Sequence, residues 1–452
     1  MAATRRKAAH DLDKIPSDEG EWRAAAQKYG LQSRNLEDLC KNGNFSASTV
    51  PTEAFLTLRC IWPKKKDHKH ALAYISNLEH FFSWDNVDDA KKLTDNKLLG
   101  LDKLTILYQI ICPPKQSLQR TPPEFSGTLS DGLGPFALLI PIYNQLQDRR
   151  PQTPPSVFYP ENAPRGQLFF DALQHHGHQA PTSPTRYGAA VEDITIEDIQ
   201  MTGIDIGSFS SSLPEDASSL AEHSVVSVPI DEPPPRTPTE TLVTDFAVIL
   251  LGGLASLVQP LGYKPLCMAN SFETTYEFGP LNNVINPLDK VKFRARIDGS
   301  IPFSVSPGKD LREAIIFEAK RAPRVEGINE VPVLAQQSME HAAYIWNRHK
   351  EDTTWRNSAQ TYHSFMVAQD HLSFHISIGT YDHRYLDYIF ASNSRRVIPV
   401  QGNIPFLQIQ ELGPFDTEDN DHLARFLQII LSFILSQLEK TPAAAIFKNA
   451  LR

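Results

Sequence analysis

The sequence predicts an α/β protein: a mixed central sheet flanked by helices, joined to a helical N-terminal region by a long disordered linker. Three observations carry this. From residue 241 to the C-terminus, apolar periodicities run in the order helix, three strands, helix, two strands, helix. Residues 1–112 carry mainly helical patterns. Between them, residues 113–240 hold 19 of the 34 prolines, with Ser/Thr clusters and acidic runs. Such a stretch cannot bury enough apolar surface to offset chain ordering, so it reads as disordered. The expected boundaries are 1–112 for the helical region, 113–236 for the linker and 237–452 for the α/β domain.

The elements follow in chain order. Glu21–Tyr29, Ala71–Phe82 and Leu98–Ile111 space apolar residues as helices do. Pro113 and Pro114 end the last of these. Within the linker, Gly134–Leu146 and Gly166–Leu173 are candidates for ordered patches. Thr241–Val258 reads as an apolar helix, preceded by a capping threonine and Pro238 in its first turn. Phe272–Phe278, Lys292–Ile297 and Ala314–Ala319 read as strands, with a turn region at Ser300–Asp310. Val331–Arg348 reads as a helix. Tyr362–Ala368 and Leu372–Gly379 are two further strands, and His422–Leu438 is a closing amphipathic helix. No internal repeat is visible.

Composition narrows the function. The longest apolar candidate, Phe246–Val258, is shorter than a bilayer span and holds Gly252 and Gly253, so no membrane association is expected. The polar N-terminus predicts no secretory leader, and Cys40, Cys60, Cys112 and Cys267 lie too far apart for a zinc cluster or a disulfide framework. An intracellular protein, nuclear or cytoplasmic, is the expectation. The net charge of −9 is uneven: residues 113–240 alone carry 7 basic and 16 acidic side chains. Residues 290–324 carry 9 basic and 4 acidic ones, a local strip compatible with phosphate contact. No P-loop, no GxSxG elbow and no kinase signature is present.

The chemistry concentrates in Arg294-Ala-Arg-Ile-Asp-Gly-Ser300 and Ala314-Ile-Ile-Phe-Glu-Ala-Lys320. Magnesium or manganese takes hard oxygen ligands and keeps some water. The strand period of two puts Glu318 and Lys320 on one face, so a carboxylate can hold the ion while the ammonium meets a phosphate. Asp298 closes the preceding strand. This pattern resembles the PD-(D/E)xK nuclease superfamily, with Asp298 at the first acidic position, although Ile297 replaces the proline. Glu318, Ala319 and Lys320 match the triplet.

The resemblance covers roughly residues 240–440 and implies a restriction-endonuclease-like αβββαββ core. It also resembles a domain of uncharacterised fungal proteins, including the one preceding the kinase in fungal-type protein kinases. It implies metal binding by Asp298, Glu318 and the Ala319 backbone, and catalysis by Asp298, Glu318, Lys320 and a glutamine of the following helix. Gln336 and Gln337 stand there; Gln337 is preferred because it shares a helical face with His341 and Tyr344. Glu240 and Asp245 are weaker candidates for an extra acidic ligand from the first helix.

The expected function is Mg2+- or Mn2+-dependent cleavage of DNA or RNA. The alternatives are a catalytically silent nucleic-acid-binding module, or a protein-interaction domain whose N-terminal region and linker recruit protein partners. Lys64-Lys-Lys-Asp-His-Lys69 is a basic run that reads first as a solvated loop, second as a localisation signal or phosphate contact. His175, His176 and His178 cluster without acidic neighbours at ligand spacing.

Overall fold

The computed structural model describes residues 12–31, 45–78, 81–82, 84–95, 102–112, 132–148, 238–259, 267–279, 293–302, 315–324, 330–351, 354–390 and 404–439. All of them lie in one compact unit built from both ends of the chain, residues 1–153 and 230–452. A second unit, Pro154–Pro229, lies outside the described residues, as do Gly166–Leu173, the three clustered histidines and most of the expected linker.

The N-terminal part supplies helices α1 (Glu19–Lys28), α2 (Thr52–Thr57), α3 (His68–Ile75), α4 (Trp84–Asp95), α5 (Asp102–Ile111) and α6 (Leu139–Asp148), and two-residue strands β1 (Phe45–Ser46) and β2 (Cys60–Ile61). The C-terminal part runs α7 (Pro238–Leu257), β3 (Thr274–Phe278), β4 (Phe293–Ile297), β5 (Gly299–Ile301), β6 (Ile315–Lys320), α8 (Glu330–His349), β7 (Tyr362–Asp370), β8 (Ser373–Tyr381), α9 (His383–Phe390), β9 (Leu407–Asp416) and α10 (Asn420–Glu439). The N-terminal region is not purely helical: β1 pairs with β4 and β2 with β9, both parallel.

The fold is mixed α/β, with a six-stranded mixed sheet in the order β2-β9-β8-β7-β6-β5 flanked by helices. A smaller sheet has the order β1-β4-β3. β6 and β7 are parallel and joined through α8, the crossover geometry a right-twisted sheet favours. Buried on both faces, β6 reads as the near-continuous apolar run Ile-Ile-Phe before its charged end.

Strand alternation sends the sheet's side chains into two cores. Ile315, Phe317, Ala319, Phe365, Val367, Ile376 and Leu412 pack with α3, α4, α7 and α10. Ile316, Met366, Leu407 and Ile409 pack with α2, α8 and α9. Helix α7 contains an 18-residue window, Glu240–Leu257, long and apolar enough to cross a membrane, contrary to the reading of its sequence. Its buried residues, including Val243, Phe246, Leu250 and Leu254, lie in the first core. Gly253 there abuts Phe136, whose ring stands 2.4 Å from where a Cβ would sit. Gly134–Leu146 is ordered as a 3-10 turn followed by α6, and docks on α7.

Two local features position the site. β4 and β5 are one extended segment that bends at Asp298, leaving the small sheet and entering the large one. Ser300 and Ile301, which the sequence reads as the start of a turn, therefore lie in strand β5. Gly299 is required there: an added Cβ would lie 2.4 Å from the Asn270 carbonyl oxygen and 3.3 Å from the Phe317 ring. The β7–β8 hairpin closes through His371 at φ 59, and the His371 N–H donates to the Lys320 carbonyl at 2.9 Å. The turn thereby abuts the end of β6.

Candidate functional site

Glu318 and Lys320 project from the C-terminal end of β6 toward α8. Glu318 is 3% exposed. Its Oε1 accepts from the Lys320 ammonium and, at 2.7 Å, from Gln336 Nε2. The same Gln336 Nε2 donates to Glu340 Oε1 at 2.7 Å. One amide thus bridges two fully buried carboxylates. Glu318 Oε2 and Glu340 Oε2 are both buried without a hydrogen-bond partner. Asp298 is fastened to β6 twice: its N–H donates to the Phe317 carbonyl at 2.9 Å, and its Oδ2 accepts from the Ala319 N–H at 2.7 Å. In a strand the N–H and C=O of one residue point the same way, so the Ala319 carbonyl faces the Asp298 side.

The electrostatics follow from burial. Desolvation, then the Asp298 charge, pushes the Glu318 carboxyl up to about 8 against the pull of Lys320. Burial and the Glu318 charge raise Glu340 well above the carboxylate range. Burial alone would lower Lys320, but Glu318, Glu340 and Asp298 together raise it above an ordinary lysine. Three carboxyl groups therefore face one ammonium. A buried excess of negative charge must take up a proton or a cation.

Among the described residues no three His, Cys, Asp or Glu side chains converge closely enough to hold a metal ion by themselves. Magnesium binds through one or two carboxylates and fills its shell with water and carbonyl oxygen. The two orphaned buried oxygens and the Ala319 carbonyl beside Asp298 suit such an ion.

A second ionic cluster lies on the same face. Lys320 is the register partner of Asp370 on β7. Asp370 Oδ2 accepts from Arg324 Nε at 3.0 Å, and Arg324 Nη1 donates to Glu411 Oε1 at 2.9 Å. His375 Nδ1 lies 2.7 Å from the same Glu411 oxygen. Burial acts to raise Glu411, yet the charges of Arg324 and His375 hold it down at about 2.

The structure brings Asp298, Glu318, Ala319 and Lys320 together at the β5–β6 edge. Gln337 is not with them: it is buried, and its Nε2 has no hydrogen-bond partner. His341, four residues on, bonds Ser364 and Ser377 within the sheet at 2.7 and 2.9 Å. Gln336 takes the place expected of Gln337, because the bridging positions on α8 are 336 and 340. Glu240 and Asp245 sit on α7, which packs on the opposite face of the sheet. Glu340 was missed; its signal was the i, i+4 spacing from Gln336. Phe374 and Tyr381 are core residues.

A cavity of about 610 Å³, lined by residues including Asn77, Gln360, His363 and Thr380, lies at the far ends of β7 and β8 and includes none of these side chains. Comparison with family models, curated proteins and solved structures finds no match for this chain. The chemistry is therefore argued from its own residues.

Proposed function

We propose that residues 238–439 form a divalent-cation-dependent phosphodiesterase of PD-(D/E)xK type acting on nucleic acid. The observation that carries this reading is the pair of buried carboxylates, Glu318 and Glu340, each with one oxygen lacking a partner, beside Lys320 and Asp298. The order α7, four strands ending in β6 (with β4 and β5 one segment bent at Asp298), crossover α8, parallel β7 and antiparallel β8 supports a restriction-endonuclease-like core.

Asp298, Glu318 and the Ala319 carbonyl would hold Mg2+ or Mn2+, with the free Glu340 oxygen as a further ligand. Such an ion lowers the pKa of a bound water and neutralises charge on a phosphodiester. Lys320, protonated and with a side chain 26% exposed, reaches solvent from the face that carries Glu318. It is placed to meet a phosphate oxygen. Gln336 fixes the orientation of both glutamates by donating to each. Burial of the cluster excludes bulk water and strengthens every charge interaction inside it.

The test is cleavage of single- and double-stranded DNA and RNA with Mg2+ or Mn2+ by the wild type, Glu318→Ala and Lys320→Ala. The wild type is expected to cut and each variant to lose about a hundredfold or more. Equal cutting by all three would identify a contaminant and remove the reading. A wild type that binds with steep salt dependence but never cuts would leave the binding module instead.

A further inference from the structure

The basic run Lys64–Lys69 is not a loose loop. The Lys66 N–H donates to the Glu411 carbonyl at 3.0 Å, and the Gly413 N–H donates to the Lys66 carbonyl at 2.9 Å. Gln410 Nε2 donates to the Lys64 carbonyl at 2.9 Å. The segment is thus an extra extended element laid parallel to β9, with Lys66 opposite Leu412. Alternation then decides where each lysine goes. Leu412 belongs to the core under α3, and the Lys66 ammonium lies 5.5 Å over the Tyr74 ring on that side. Lys65 falls on the other face, with Glu411, and its positive charge is among those that keep Glu411 ionised. Lys64 and Lys65 are both exposed.

That face also carries the candidate site. Glu411 joins Arg324, Arg324 joins Asp370, and Asp370 is the register partner of Lys320. Four inter-strand steps separate Lys65 from β6, where its register falls on Ile316, four residues before Lys320; at ~4.8 Å per step and ~3.3 Å per residue the backbones of Lys65 and Lys320 stand about 23 Å apart. Exposed Arg321 follows Lys320 directly. Arg324 bonds both buried carboxylates between the two ends and offsets their repulsion of an anion nearby.

We propose that Lys65 is a backbone-phosphate contact for a nucleic-acid strand that also meets Lys320 and Arg321. The inference rests on the proposed nuclease reading of the site. A span of about 23 Å matches about seven phosphates of one duplex strand at ~3.4 Å of axial rise each. An import receptor reading the lysines as an extended peptide is disfavoured, because the main chain of the run is already hydrogen-bonded to the sheet.

The test is the salt dependence of binding of fluorescein-labelled single- and double-stranded oligonucleotides to the full chain, in EDTA so that the strand stays intact. Lys65→Gln is compared with Lys69→Gln, an exposed lysine on α3 (Lys69 lies beyond the paired segment). Lys65→Gln is expected to weaken binding uniformly across sequences. It should also reduce the slope of log K against log salt by about 0.7–0.9, one phosphate contact, with Lys69→Gln unchanged. Identical slopes for the wild type and Lys65→Gln, or equal losses in both variants, would overturn this contact while leaving the catalytic reading standing on its cleavage assay. A wild type that binds no oligonucleotide at low salt overturns both.

Discussion

Two buried ionic clusters share one face of the sheet and answer opposite design problems. In the first, Asp298, Glu318 and Glu340 surround a single Lys320, and two carboxylate oxygens lack partners. In the second, Arg324 and His375 face Asp370 and Glu411, and Glu411 is held ionised, although Asp370 Oδ1 and Arg324 Nη2 also lack hydrogen-bond partners. The matched cluster ties β7 and β9 to the segment after β6 and is structural. The mismatched cluster has more carboxyl groups than its one ammonium can keep ionised, so burial drives Glu318 and Glu340 toward their protonated forms. Perturbed carboxyl groups of this kind are what the proposed cation site would use.

The comparison can be broken by mutation. Arg324→Ala leaves Asp370 and Glu411 buried with only His375 beside them, and is expected to destabilise the protein by about 3–5 kcal/mol in chemical denaturation. Glu318→Gln removes a disfavoured charge, and in the absence of divalent cation it should change stability by less than about 1 kcal/mol or raise it. Equal losses in the two variants would erase the distinction. Gly299→Ala drives a Cβ against the Asn270 carbonyl, and is expected to cost about 1–3 kcal/mol as an overpacking change. It should also displace Asp298 while leaving the Arg324 cluster intact, so cleavage should fall more than stability alone explains.

The pH dependence has opposite signs in the two clusters. Glu318 has a folded pKa of about 8 against an ordinary 4.5. Its stabilising contribution is complete below 4.5 and is lost as pH rises toward 8, with a slope of up to about 1.4 kcal/mol per pH unit. Glu411 has a folded pKa of about 2 against 4.5, so its contribution is present above 4.5 and lost as pH falls toward 2. Denaturation midpoints across pH in EDTA should flatten on the alkaline side in Glu318→Gln and on the acid side in Glu411→Gln. Unchanged profiles would refute the assignment.

The smallest effect is expected at Gln337. Gln337→Leu removes a buried amide whose Nε2 makes no hydrogen bond, and should leave cleavage within about twofold, whereas Gln336→Leu should impair it.

Elements with one strong periodicity were legible in the sequence: α7, α8, α10, β6, β7 and β8 lie where the patterns placed them, within a few residues. β9 was not, because Gly413-Pro414 interrupts it. Gly413 takes φ 117 where the β8–β9 register shifts, and such an irregularity is one of the settings in which a strand accepts proline. β1 and β2 are two residues long and exist only through partners distant in sequence. The triplet Glu318-Ala319-Lys320 was legible through strand alternation, and the structure sets Asp298 beside it. Glu340 and the choice between Gln336 and Gln337 were not. Helix α8 is buried at 13 of its 20 positions, so apolar spacing picks out no single face. Only the sheet beneath it decides which polar residues meet β6.

The central claim is that the mismatched cluster holds a divalent cation in place of a proton. Calorimetric titration of Mn2+ into the full chain near pH 7, in two buffers of different ionisation enthalpy, counts protons released on binding. The account predicts saturable binding with proton release in the wild type, and loss of both in a Glu318→Gln, Glu340→Gln double variant that remains folded. Binding with no proton release, or equal binding by the double variant, would contradict it.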